Sequence, residues 1–137
     1  MDKNAEILIV DDNTLYSLYL KVKLENRGYS NIDIVNGAEG VLSYLNDKSY
    51  RLIICPSILP EMMASELMVS IKYQFPNEDP NYLVLVNEKE AVLYEKEVLF
   101  GQVFYYTGSP IDLDTFDETL QKMLDNKADA ASNSLPN

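Results

Sequence analysis

Short apolar runs alternate with longer segments of helical spacing along most of the chain. The runs predict strands at Glu6–Val10, Ile32–Val35, Leu52–Cys55, Tyr82–Val86 and Val103–Tyr106. Between them, apolar residues recur every three or four positions, which predicts a helix after each strand.

The stripe of Leu15, Leu18, Tyr19 and Val22 marks the first amphipathic helix, and Arg27-Gly28 ends it. The other four helices are predicted around Val41, Leu42 and Leu45, and over Met62–Phe75, Glu88–Leu99 and Leu113–Leu124.

Five alternating strand and helix pairs predict an α/β fold with one parallel sheet, doubly wound because helices cover both faces. The strands are continuously apolar rather than alternating, as is typical of strands that are buried on both faces. A ligand site is then expected at the carboxyl ends of the strands. We expect one domain over residues 1–126, followed by a small, polar tail or the start of a linker at 127–137.

Composition narrows the chemistry of the chain. There are 22 acidic residues against 11 basic ones, a net charge of −11, which argues against direct nucleic-acid binding and against an anionic membrane surface. No histidine and a single cysteine exclude His-based catalytic pairs and Cys-rich zinc sites. With no apolar run near the ~20 residues of a membrane span and no signal-peptide pattern, the expected location is cytoplasmic.

Asp11 and Asp12 follow the first strand directly and give the first chemical signal. Adjacent carboxylates at a strand end can hold a hard divalent cation, but acidic residues also favour the start of a helix. From the pair alone, we favour the helix start.

Several motifs together resemble the receiver domain of two-component response regulators over about residues 5 to 125. They are ILIVDDN at the first strand, RGYSNIDIVNGAEGVLSYL across the second strand and helix, YRLIICPSILPEM at the third strand, and FYYTGSP at the fifth. The resemblance implies a flavodoxin-like sheet with strand order 2-1-3-4-5 and five helices. It also implies an aspartate at the end of the third strand that accepts a phosphoryl group.

Matched by register, that aspartate position is occupied by Pro56, whose side chain offers no oxygen nucleophile. The lysine position of the family falls on Ser109, before Pro110, and the hydroxyl position after the fourth strand falls on Asn87. The next position is Glu88, a carboxylate that would repel a phosphoryl group.

Other family positions are retained. The aromatic switch position falls on Tyr106, and the acidic pair is Asp11 and Asp12. Magnesium could bind weakly to that pair and to the carbonyl of Ile58, as a vestige of the family site. No other cofactor is expected. Ser57 lies in the same degenerate pocket, where we expect it to satisfy turn backbone groups, and Cys55 is expected to be a buried apolar residue rather than a redox sensor.

We therefore interpret the chain as a pseudo-receiver, not an enzyme, that acts by phosphorylation-independent protein contact. The predicted contact face is formed by the fourth helix, fifth strand and fifth helix. It would bind a protein partner, a second copy of the chain, an output domain or a histidine-kinase-related protein. Its aromatic and apolar residues are Tyr94, Leu99, Phe100, Phe104 and Tyr105, besides Tyr106. The alternatives are a receiver phosphorylated at Asp11, Asp12 or Ser57, and a small nucleotide- or flavin-binding α/β protein.

Overall fold

The computed structural model describes residues 2–86, 103–107 and 118, with the backbone alone for 104–107. The strands are β1 (Ile7–Val10), β2 (Ile32–Val35), β3 (Leu52–Pro56), β4 (Asn81–Val86) and β5 (Val103–Thr107). The helices described in these ranges are α1 (Thr14–Asn26), α2 (Ala38–Asp47) and α3 (Ala64–Gln74). The predicted fourth helix and the tail lie outside the described residues, as does the predicted fifth helix apart from Glu118, which is helical.

All strand pairs are parallel, and the sheet order is β2-β1-β3-β4-β5, which confirms the predicted order. Alternate residues of the strands pack to opposite faces, as the period of two requires. Leu8 and Val10 of β1 pack in the core shared with α2 and α3, whereas Ile7 and Ile9 pack in the core beneath α1. Among the described helices, both faces of the sheet are therefore covered.

The orientation of α1 corrects the sequence interpretation of its buried stripe. Leu20 and Leu24 are buried against the sheet, together with Ser17. The predicted stripe points outward instead: Leu15 is 81% exposed, Leu18 47% and Val22 49%, while Tyr19 is half-buried. Because α1 is apolar on more than one side, the three- and four-residue spacing fits two stripes and does not select the buried one.

Helix α3 begins two residues later than predicted, at Ala64 instead of Met62. The reason is a short antiparallel bridge between Ile58 and Met63, closed by a hydrogen bond from the Leu59 amide to the Met62 carbonyl at 2.9 Å. This bridge keeps 58–63 as a compact loop between β3 and α3.

Candidate functional site at the carboxyl edge of the sheet

The carboxyl end of β1 holds the acidic pair. Asp11 is buried, with 9% exposure, and its amide donates to the Val35 carbonyl at 3.1 Å. Its Oδ1 accepts from the Asn13 amide at 3.0 Å, and Asn13 caps α1 by accepting from the Tyr16 amide at 3.0 Å. The helix start is thus capped by Asn13, and Asp11 orders the turn before it.

Burial is the main cause that raises the pKa of Asp11, and the neighbouring Asp12 raises it further, against the lowering effect of the hydrogen bond from Asn13. Asp12 itself is exposed. Among the described residues, no group of three or more His, Cys, Asp or Glu side chains is placed to hold a metal ion. A weak magnesium site on Asp11, Asp12 and the Ile58 carbonyl stays a prediction.

Pro56 is the last residue of β3 and pairs with Leu85 of β4. The next amide, that of Ser57, donates to the Leu85 carbonyl at 3.0 Å. Since successive residues of a strand direct their amides to opposite sides, the missing N–H of Pro56 faces the β1 side, where pairing ends at Ile9 and Ile54. The missing N–H of Pro56 thus coincides with the end of the β1–β3 ladder, although Pro56 lies within β3.

The loop after Pro56 is held by its own backbone. Ser57 is buried, and its carbonyl accepts from the Ala64 amide at 2.9 Å, so that it joins the strand end to the start of α3. Ile58 and Met63, the two bridged residues, are exposed by 58% and 39%. This edge of the sheet therefore presents apolar side chains to solvent.

A residue that the sequence did not single out ties this loop to α2. The Glu61 Oε2 accepts from the amide of Ala38, the first residue of α2, at 2.8 Å. Glu61 and Ala38 are 23 positions apart, one in a loop and the other at the start of a helix, so no local spacing pairs them. Glu61 also lines an open groove of about 430 Å³, together with Asn36, Gly37, Glu39 and Tyr44.

Cys55 precedes Pro56 and is 1% exposed. Burial, with a smaller effect of Asp11, raises the pKa of its thiol to about 12. The prediction of a buried apolar residue is confirmed, because a thiol in this environment is neither accessible nor ionised at neutral pH.

Several predicted site residues are not described by the structure. Asn87, Glu88, Ser109 and Pro110, and the contact residues Tyr94, Leu99 and Phe100, lie outside the described residues. In β5, Phe104, Tyr105 and Tyr106 pair with Leu83, Val84 and Leu85 through the backbone. Tyr106 is therefore in register with Leu85, as is Pro56 on the other side of β4.

Sequence relatives of the chain are transcriptional regulatory proteins, and no protein-family model matches. The chain is 26% identical over 121 residues to "Transcriptional regulatory protein ZraR" of Escherichia coli O157:H7, covering 88% of this chain and 26% of ZraR. It is 27% identical over 129 residues to "Transcriptional regulatory protein GlrR" of Escherichia coli strain K12, covering 93% of this chain and 28% of GlrR. The chain spans about a quarter of the length of these relatives.

Solved structures with a similar fold include receiver domains. The signal receiver domain of an HD domain-containing protein from Pseudomonas fluorescens Pf-5 matches with a TM-score of 0.75 and 22% identity, over 96% of this chain and 95% of that one. NtrX from Brucella abortus matches with a TM-score of 0.79 and 19% identity, over 96% of this chain and 29% of that one. The chain has the fold of response-regulator receiver domains.

Within the described ranges, no helix combines the length and apolar character needed to cross a membrane.

Proposed function

We propose that this chain is a signalling module of two-component type that is not phosphorylated on aspartate and acts by binding a protein partner. The observation that carries the proposal is Pro56 at the carboxyl end of β3, between β1 and β4. Phosphoryl transfer needs an oxygen nucleophile held in line with the donor, and proline supplies none. The similarity to transcriptional regulatory proteins supports a signalling role.

Two of the three candidate substitute acceptors, Ser57 and Asp11, are poorly placed, and the third, the exposed Asp12, is left to the mass measurement below. Ser57 is 4% exposed and Asp11 9%, so a phosphodonor has little access to either. The raised pKa of Asp11, caused chiefly by burial, also shows that its environment disfavours negative charge. Adding a phosphoryl group there would increase that charge further.

Phosphorylation is tested by incubating the protein with acetyl phosphate and magnesium and measuring the intact mass. A phosphorylatable receiver treated in parallel shows that the reagent is active. We expect no phosphoryl adduct on this chain. A stoichiometric adduct would sink the proposal, and its loss in Asp11→Asn, Asp12→Asn or Ser57→Ala would identify the unusual acceptor.

Exposed apolar side chains support a contact function. Leu15, Leu18 and Val22 form an outward row on α1 at the spacing of a helix-packing stripe. Because these side chains are exposed to water, they add little to the stability of the fold itself, and a row of this kind is typical of a contact surface. The face around β5 that includes Tyr106 stays a predicted contact surface. Its side chains are outside the described residues.

The contact surface is tested by measuring how strongly two variants, Leu18→Glu on α1 and Val69→Glu on α3, bind a protein partner that was isolated with the wild-type chain. The two positions have equal exposure, 47%, so each variant places a charge on a similarly exposed site. We expect Val69→Glu to bind normally. Loss of binding in Leu18→Glu alone would assign the contact to α1. Normal binding in both variants would favour the predicted contact surface around β5 instead.

A further inference from the structure

The start of α2 lacks a cap from its own segment. The cap position is Gly37, which has no side chain, and the amides of a first helical turn have no partner within the helix. The amide of Ala38 is satisfied instead by the Glu61 carboxylate, at 2.8 Å in a partly buried position. A negative charge at this end of a helix is also favoured by the helix dipole.

The fit between Glu61 and Gly37 is close. A Cβ atom on Gly37 would lie 2.4 Å from Glu61 Oε2 and 3.0 Å from Oε1, so any larger residue would displace the carboxylate. The backbone of Gly37 is extended, with a φ of −164°, which any residue can adopt. Glycine at this position therefore leaves space for the Glu61 carboxylate and is not required for the backbone conformation.

Glu61 lies at the tip of the loop that follows Pro56. Within this loop the Leu59 amide donates to Met62, and Leu59 itself is 3% exposed. The loop is thus anchored at three points: at Ser57 by the sheet, at Ala64 by the helix start, and at Glu61 by α2. Release of Glu61 would free the tip, with Leu59 and Met62 beside the exposed Ile58 and Met63.

We propose that Glu61 is an internal latch that holds the loop between β3 and α3 against the amino end of α2. The latch sets the conformation of this loop from within the chain, and its opening adds apolar surface at the carboxyl edge. The interpretation of the latch as a regulatory device rests on the proposed function. The existence of the latch does not, since it concerns only the Glu61 to Ala38 contact.

The test is native-state amide hydrogen exchange, followed by NMR on the full chain. In Glu61→Ala we expect the Ala38 and Leu59 amides to exchange about tenfold faster or more, the effect of losing a helix cap. The amide of Ile7, bonded to Asn31, should keep its rate relative to the global stability measured by urea unfolding. Glu61→Gln keeps an oxygen acceptor without the charge and should lie between wild type and Glu61→Ala.

Glu39→Gln is the matched control. Glu39 is in the first turn of α2, so this variant removes one negative charge from the same helix end without touching the loop. Wild-type rates for Ala38 and Leu59 in Glu61→Ala, or an equal acceleration in Glu39→Gln, would overturn the latch. Gly37→Ala, in which Glu61 is intact but displaced, should reproduce the fast exchange.

The two proposals fail separately. A phosphoryl adduct on the wild-type chain together with fast Ala38 exchange in Glu61→Ala would refute the proposed function and keep the latch. No adduct on the wild-type chain together with unchanged Ala38 exchange in Glu61→Ala would refute the latch and keep the proposed function.

Discussion

The reversed orientation of α1 can be tested with two leucines on the same helix. Leu20 lies on the side of α1 that faces the sheet and is 2% exposed. Leu18, two positions earlier, lies on the outer side and is 47% exposed. Truncating a buried leucine to alanine removes its transfer free energy and leaves a cavity, so Leu20→Ala should lower the free energy of unfolding by about 2–5 kcal/mol. Leu18 keeps about half of its surface in water, so Leu18→Ala should cost at most about 1 kcal/mol.

The assay is urea unfolding followed by far-UV circular dichroism, with the midpoint compared at equal m-value. Both variants replace leucine with the better helix former alanine, so helix propensity contributes equally to the two results. If Leu18→Ala were as destabilising as Leu20→Ala, the assignment of the buried face of α1 would be wrong. Leu15→Ala, at 81% exposure, should be close to neutral and serves as the control.

Three further predictions concern pH, thiol chemistry and packing. Burial raises the pKa of Asp33, but the hydrogen bond from Tyr50 and the pairing with Lys48 together outweigh it and hold the pKa below 3.8. The stabilising contribution of Asp33 should therefore be present above pH 3.8 and fade as the pH falls through the folded-state pKa. In urea unfolding, the loss of unfolding free energy in Asp33→Asn should become smaller over that range. A loss that does not change with pH would contradict this. Cys55, with its thiol pKa raised to about 12 by burial, should react with iodoacetamide only in denaturant; labelling of the native protein would refute its burial. Gly40→Ala should destabilise by about 1–3 kcal/mol in thermal unfolding, because the new Cβ would lie 2.1 Å from Val35 Cγ2; a stabilised variant would show that helix propensity prevails.

The sheet could be predicted from the sequence because its strands carry continuous apolar runs. All five strand positions were predicted within one residue at either end, and the strand order is that implied by the family resemblance. In Ile7–Val10 every residue is buried, so the run is visible without any knowledge of its neighbours. The connection rules for parallel sheets limit the possible topologies, and the family resemblance selects the strand order among them.

The orientation of α1 and the latch could not be predicted in the same way. For α1, the sequence offers two apolar rows, and only packing on the sheet decides that Leu20 and Leu24 are inside. For Glu61, the partner is the first amide of a helix 23 positions away, and the glycine at 37 does not indicate which side chain occupies the space beside it. A contact between residues that are distant in sequence depends on the complete fold, whereas the burial of a strand can be predicted from the apolar residues of that strand alone.

The electrostatics of the carboxyl edge connect the two proposals. Asp11 is buried, and among the described residues no lysine or arginine accounts for its pKa, which burial and Asp12 raise. The Asp11 side chain accepts from the Asn13 amide, as the Glu61 side chain accepts from the Ala38 amide. Each carboxylate thus accepts a hydrogen bond from a backbone donor at a turn or helix start, which helps to hold its loop in place. On the proposed function, a protein partner that acts at this edge would move these loops, and the opening of the Glu61 to Ala38 hydrogen bond would accompany that motion.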